Sequence, residues 1–268
     1  MLITKNKEIP LYRFKNLFQS KRILHFVSTR LGGVSKSPYQ ELNLGFHVGD
    51  DPTSVLSNRM RLMDSVGIPL NHVVTCNQTH GGNVAIIEAS MRGLGANTYD
   101  SALPETDALI TNQKNICLMV MLADCVPIIL FDPEKCVVGV VHAGWKGTVH
   151  NVTRNTIKKM ALAYGSIPEN IIAGIGPSIG PAHYEVGPEV VELANSNFLN
   201  TNVIRIGKER RTYFDLWKAN LYQLLESGLT RKNIELAGIC TFANNATFYS
   251  HRREKITGRF CAAISLLN

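Results

Sequence analysis

Three side chains able to hold a transition metal stand where apolar runs meet turns. They are His80 in Gln-Thr-His-Gly-Gly, Cys125 in Ala-Asp-Cys-Val-Pro and His142 in Val-His-Ala-Gly-Trp. One thiolate and two imidazoles suit zinc, and three protein ligands leave a fourth position for water or substrate, the catalytic pattern. Zinc in such a site lowers the pKa of bound water to about 7, supplying a nucleophile at neutral pH. Glycines beside His80 and His142 let backbone and substrate approach closely. The gaps of 45 residues (80 to 125) and 17 residues (125 to 142) match no short zinc motif, so two metal-free readings stay open. In one, Cys125 is a nucleophile and His142 its base, with Asp124 orienting the histidine or acting as a separate base. In the other, a buried cysteine and two hydrogen-bonded histidines are structural.

The stretch that must position two of these residues runs from Cys117 to Lys146. It reads as three strands: CLMVML ending at Ala-Asp-Cys, VPIILF turning at Asp132-Pro133, and CVVGVV ending at His142. Near-continuous apolar runs of about six residues fit a sheet covered on both faces. His80 lies between two short strands, Val73–Cys76 and Val84–Ile87. Further strands are expected at 23–29, 107–111, 171–175, 234–239 and 259–266. Helices are expected from Asp51-Pro52 to Gly67, from about His150 to Tyr164, from Gly187-Pro188 onward, and from Phe214 to about Glu226. The polar loop 37–50 is long for a connection without secondary structure, and such loops are often functional. No repeat or compositional break appears, so the chain reads as one mixed α and β domain, 1–268.

Composition narrows the function class. With 268 residues, 45% hydrophobic and 18% charged, the chain can bury a sizeable core. Its apolar runs fall far short of the ~20 residues of a membrane helix, and MLITKNKEIP lacks the apolar core of a secretory signal. A cytoplasmic location follows, where the six cysteines stay as free thiols. Cys117, Cys136 and Cys261 lie in apolar runs and fit core packing. The net charge of +7 is concentrated in residues 1–22, a basic N-terminal extension with six Lys/Arg against Glu8 alone. No aromatics alternate with the basic clusters and no nucleic-acid motif is present. The excess charge then reads as solvated surface, or as attraction for an anionic substrate such as phosphate.

The ordered motifs STRLGGVS, LNLG, HVGDDP, NQTHGGNV, DALIT, LADCVPIILFD, VVHAGWKGT, GIGPSIGPAHYEVG, FDLW and FYSHRREKITGR run from about Ser28 to Leu266. Together they resemble the laccase-domain family, formerly described as multicopper polyphenol oxidases and now associated with purine nucleoside phosphorylase and adenosine deaminase activity. The resemblance implies an α+β fold in which mixed β-sheets and flanking helices form an α/β/β/α-type sandwich, related to a toxin deamidase fold. It implies zinc on His80, Cys125 and His142, phosphorolysis of adenosine, inosine, guanosine and methylthioadenosine, and hydrolytic deamination of adenosine.

Deamination needs a carboxylate to relay a proton, and Asp124 is the candidate, with hydrogen bonding to a metal-bound histidine as its other role. Phosphorolysis needs cations to hold phosphate. Arg30, Arg59 and Lys146 are candidates, with Arg252 and Arg253 behind them, and Asn43 could bond the nucleoside. Trp145 and Phe248 could stack on a purine, although core packing suits both. His251 stands where relatives often carry tyrosine. An oxidase would need several coppers, yet the other histidines are scattered without a His-x-His pair and no axial Met can be placed. Zinc therefore ranks above copper. A zinc protein that binds a nucleotide or cell-wall precursor without turnover is the remaining alternative.

Overall fold

The computed structural model describes residues 1–199 and 201–267. The elements follow in chain order as β1 (Leu2–Asn6), β2 (Ile9–Arg13), α1 (Lys15–Phe18), β3 (Ile23–Ser28), α2 (Pro52–Val66), β4 (Val73–Val74), β5 (Val84–Ile86) and β6 (Ala108–Thr111). Next come β7 (Cys117–Leu122), β8 (Val126–Asp132), β9 (Val137–Ala143), α3 (Trp145–Val149), α4 (Val152–Tyr164), β10 (Ile172–Ile175) and α5 (Pro188–Asn197). The last are β11 (Ile204–Ile206), β12 (Thr212–Phe214), α6 (Leu216–Glu226), β13 (Ile234–Leu236), α7 (His251–Glu254) and β14 (Phe260–Leu266).

Two six-stranded mixed sheets carry the fold. One has the order β1-β2-β3-β14-β7-β4, the other β13-β10-β8-β9-β6-β5. Side-chain alternation shows how they stack. Leu118, Val120 and Leu122 of β7 meet Ile129 and Phe131 of β8 and Val138 and Val140 of β9 in a core between the sheets. Cys117, Met119 and Met121, the other face of β7, pack with Leu62 and Met63 of α2. Ile128 and Leu130 of β8 and Val141 of β9 face Val152, Ile157 and Met160 of α4 and Leu216 and Ala219 of α6. The result is an α/β/β/α sandwich in a single α+β domain. The unbroken apolar runs have the predicted cause, since every residue of β7, β8 and β9 is buried.

The helix signals hold. The Asp51 side chain caps α2 by accepting from the Thr53 and Ser54 N–H groups, and Gly67 ends it at φ 72°. Three differences are informative. Within residues 1–22, expected only as a basic N-terminal extension, β1 and β2 form a hairpin that continues the first sheet through β3. The hairpin β11–β12 and helix α3 also lacked a clear signal, being only three and five residues long. Period-based reading has little to count in such short elements.

Candidate functional site

The two sheets present their strand ends on one side, and that is where His80, Cys125 and His142 meet. His142 sits near the end of β9, 3% exposed. Cys125 lies in the short turn between β7 and β8, and β8 pairs with β9 so that Pro127 faces His142. His80 arrives from the loop after β4 with φ 61°. One donor atom from each lies within 4.8 Å of the other two. The imidazole rings stand edge-to-face, 4.8 Å between centroids. Gly144 is obligatory at this corner. A Cβ there would fall 2.8 Å from His80 Cδ2 and 3.0 Å from Cys125 Sγ.

Asp107, at the start of the DALIT strand, ties the corner together. Its Oδ1 pairs with His142 Nδ1 at 2.8 Å, and its carboxylate accepts from the backbone N–H groups of His80 (3.0 Å) and Gly81 (2.7 Å). Its backbone carbonyl accepts the His142 N–H. With Nδ1 engaged, Nε2 of His142 is left for Cys125. This is the carboxylate–histidine arrangement that fixes ring orientation at metal sites. Burial opposes charge on Asp107, but the His142 contacts and the two N–H donors outweigh it and lower its pKa. Burial likewise opposes a Cys125 thiolate. The neighbouring His142 and hydrogen bonds from His142 and His80 prevail and bring it to about 6. A sulfur poised as thiolate and two oriented imidazoles are what zinc takes as ligands. Bond lengths of about 2.0–2.3 Å imply donor separations of roughly 3.5 Å, so small movements would close the set on an ion.

Asp124 is near this corner but is not the histidine's partner. At φ 86°, it accepts from Thr241 Oγ1 (2.6 Å) and from the Arg252 N–H (2.6 Å). The role of orienting His142, expected as one possibility for Asp124, is held by Asp107. Asp107 was missed because it is distant in sequence from both Cys125 and His142. Its one signal was a carboxylate directly before a short apolar strand.

A cleft of about 380 Å³ opens over the cluster, within the usual range of ligand pockets of about 300–1,000 Å³. His80, Cys125, His142 and Asp124 line it together with His47, Trp145, Tyr184, His251, Arg252 and Arg259. Trp145 and His251 are therefore placed at the cleft, whereas Phe248 is fully buried between Tyr12 and Phe260.

The other cation candidates lie elsewhere. Arg59 is 3% exposed and donates to the carbonyls of Leu44, Gly95 and Ala96 while stacking on Phe46. Arg30 pairs with Glu254 at 2.7 Å, donates to the Gln40 and Asn245 carbonyls, and stacks on Tyr249. Asn43 is fully buried; its side chain bonds Asp50, the backbone of Gly45 and the Arg259 N–H. Lys146 is exposed, with its ammonium 5.7 Å from the Trp145 ring, and does not line the cleft. Each was a plausible ligand for phosphate or nucleoside by residue type. The first three spend their donors on the chain's own carbonyls and carboxylates instead.

The chain matches the family described as multi-copper polyphenol oxidoreductase laccase over residues 24–267. It is 38% identical over 249 residues to the purine nucleoside phosphorylase YlmD of Bacillus subtilis (strain 168), covering 92% of this chain and 90% of that one. It is 36% identical over 230 residues to the adenosine deaminase RL5 of an unknown prokaryotic organism, covering 85% and 87%. The crystal structure of YlmD from Geobacillus stearothermophilus superposes with a TM-score of 0.94 at 32% identity, covering 100% of this chain and 98% of that one. The sandwich, the motif order and these likenesses agree: this chain belongs to the laccase-like family that includes proteins named purine nucleoside phosphorylase.

Proposed function

We propose that this chain is a zinc-dependent purine nucleoside phosphorylase that also deaminates adenosine. The observation that carries the reading is the convergence of His80, Cys125 and His142, the two histidines tied by Asp107, in the lining of a ligand-sized cleft. Zinc is the favoured metal because a thiolate and two imidazoles match its donor preference. When bound, it supplies Lewis acidity and a water activated at neutral pH. Relatives named for phosphorolysis and for deamination support both activities.

The chain's own groups divide the work. Asp107 keeps His142 in one tautomer and anchors the loop that carries His80. Asp124 holds a carboxylate at the cleft, kept in place by Thr241 and the Arg252 N–H. In this reading that carboxylate is the proton relay: it would take a proton from water as it adds to the amine-bearing purine carbon, and return it to the leaving ammonia. Trp145 and Tyr184 offer apolar faces to a purine.

The test uses protein purified without added metal. Bound zinc and copper are quantified, and adenosine is incubated with and without phosphate. About one zinc per chain is expected, with adenine and ribose 1-phosphate formed only with phosphate and inosine formed without it. His80→Ala should lose metal and products together. Copper exceeding zinc, with oxygen uptake on a phenol and no purine product, would overturn the reading in favour of the oxidase that the family description names.

A further inference from the structure

Two arginines in the cleft lack a counter-ion. Among the described residues no carboxylate lies within ion-pair distance of Arg252 or Arg259, whereas Arg30 and Arg211 are paired with glutamates. Arg252 donates one bond to the Glu185 carbonyl and lies over the Tyr184 ring at 4.9 Å. Arg259 uses only Nη1, which donates to the Thr257 and Gly258 carbonyls at 2.9 and 3.0 Å. No acceptor among the described residues engages its Nε or Nη2.

The fold invests heavily in the placement of Arg259. Its backbone N–H donates to Asn43 Oδ1 at 2.8 Å. A Cβ on Gly45 would come within 2.8 Å of Arg259 Cγ, and one on Gly258 within 2.9 Å of Asn43 Cβ. Asn43 and Gly45 of the LNLG loop and Gly258 beside Arg259 thus form a seat for this side chain. Arg59 braces that loop from behind through the Leu44 carbonyl. A seat so constructed around a guanidinium with a free edge calls for a two-point oxyanion acceptor. Arginine meets carboxylate and phosphate in that way.

Charge balance agrees. The cleft holds the Arg252 and Arg259 cations against Asp124, whose two oxygens are already bonded. A divalent metal on the Cys125 thiolate would add a net positive charge. We propose that Arg259 binds the attacking oxyanion, inorganic phosphate, with Arg252 adding charge from the same cleft. The inference rests on the phosphorylase reading and names its second substrate site. In the step, a phosphate oxygen forms a bond to ribose C1′ while the C1′–N9 bond breaks. The bonding pair leaves with the purine, the proton of hydrogen phosphate ends on the purine, and ribose 1-phosphate is released.

The test measures phosphate and nucleoside saturation separately on zinc-loaded protein, together with direct binding of inorganic phosphate by calorimetry. Arg259→Gln should raise the phosphate KM about 10- to 100-fold, as loss of a charge-assisted bond pair implies, and move the nucleoside KM far less. Arg259→Lys should recover part of the loss. Gly45→Ala, which presses on the arginine stem, should shift the phosphate KM in the same direction. A phosphate KM unchanged in Arg259→Gln, or a larger rise in Lys146→Ala, overturns the assignment while the phosphorylase reading survives. Phosphate that binds the wild type, is lost in Arg259→Gln, and yet releases no purine keeps the anion site and sinks the phosphorylase reading. Binding of adenosine 5′-monophosphate without binding of inorganic phosphate would make this a nucleotide subsite and overturn the co-substrate role.

Discussion

Two sets of polar residues in this molecule look alike in sequence and behave oppositely in the fold. His25, Arg30, Asn43 and Arg59, from the N-terminal quarter, are buried, with hydrogen bonds or an ion pair to the chain itself. His80, Cys125, His142, Arg252 and Arg259, from a loop, a turn, the end of β9, helix α7 and the segment before β14, line a cleft with donors or lone pairs left over. A polar group whose capacity is filled by backbone stabilises the fold and has nothing to offer a ligand. One that is oriented by a neighbour but left incomplete is available for chemistry. The Asn43 amide and the Arg259 guanidinium show both outcomes in direct succession: the amide is consumed in seating the arginine.

Substitutions should separate the two sets. The largest effect is expected from His142→Ala, which removes a donor to the metal: bound zinc should be lost and purine release should fall roughly 10³-fold, with metal analysis and product separation as the readouts. Next, Arg59→Met should cost about 3 kcal/mol of stability in urea unfolding, because the buried Leu44 and Ala96 carbonyls lose their donor and Gly95 keeps only that of Thr75. Zinc per folded chain should persist in that variant; metal loss without destabilisation would place Arg59 on the wrong side of the comparison. Asp107→Asn should lower zinc affinity about 10- to 100-fold, measured by competition with a chelator, since it disturbs only the partner of His142.

The smallest effect is a pH dependence in the structural set. His25 accepts the Phe14 N–H on Nε2 at 2.9 Å, and burial plus the Arg13 charge hold its pKa near 3 against 6.5 when unfolded. The unfolded chain therefore binds the extra proton. Stability from this group is complete above about pH 6.5 and is lost as pH falls toward 3, by about 1 kcal/mol per pH unit. Urea midpoints at pH 7.5 and 5.0 should lie closer together for His25→Gln than for wild type. Equal slopes would mean that His25 carries a proton in the fold already.

Much of this was legible in the chain. Three strands with both faces apolar, a helix opened by Asp51-Pro52 and closed by Gly67, and His80, Cys125 and His142 at strand ends follow from local pattern, because period, caps and turn residues act over a few positions. Motif order identified the family for the same reason. Which carboxylate serves which histidine was decided only in three dimensions. Asp124 is adjacent to Cys125 in sequence, but the strand pairing of β6 with β9 brings Asp107 to His142 and leaves Asp124 to Thr241 and Arg252. The choice among arginines was decided there too. Residue type gives every guanidinium the same donors, and only packing determines whether carbonyls from distant loops take them up, as for Arg59, or leave an edge facing the cleft, as for Arg259.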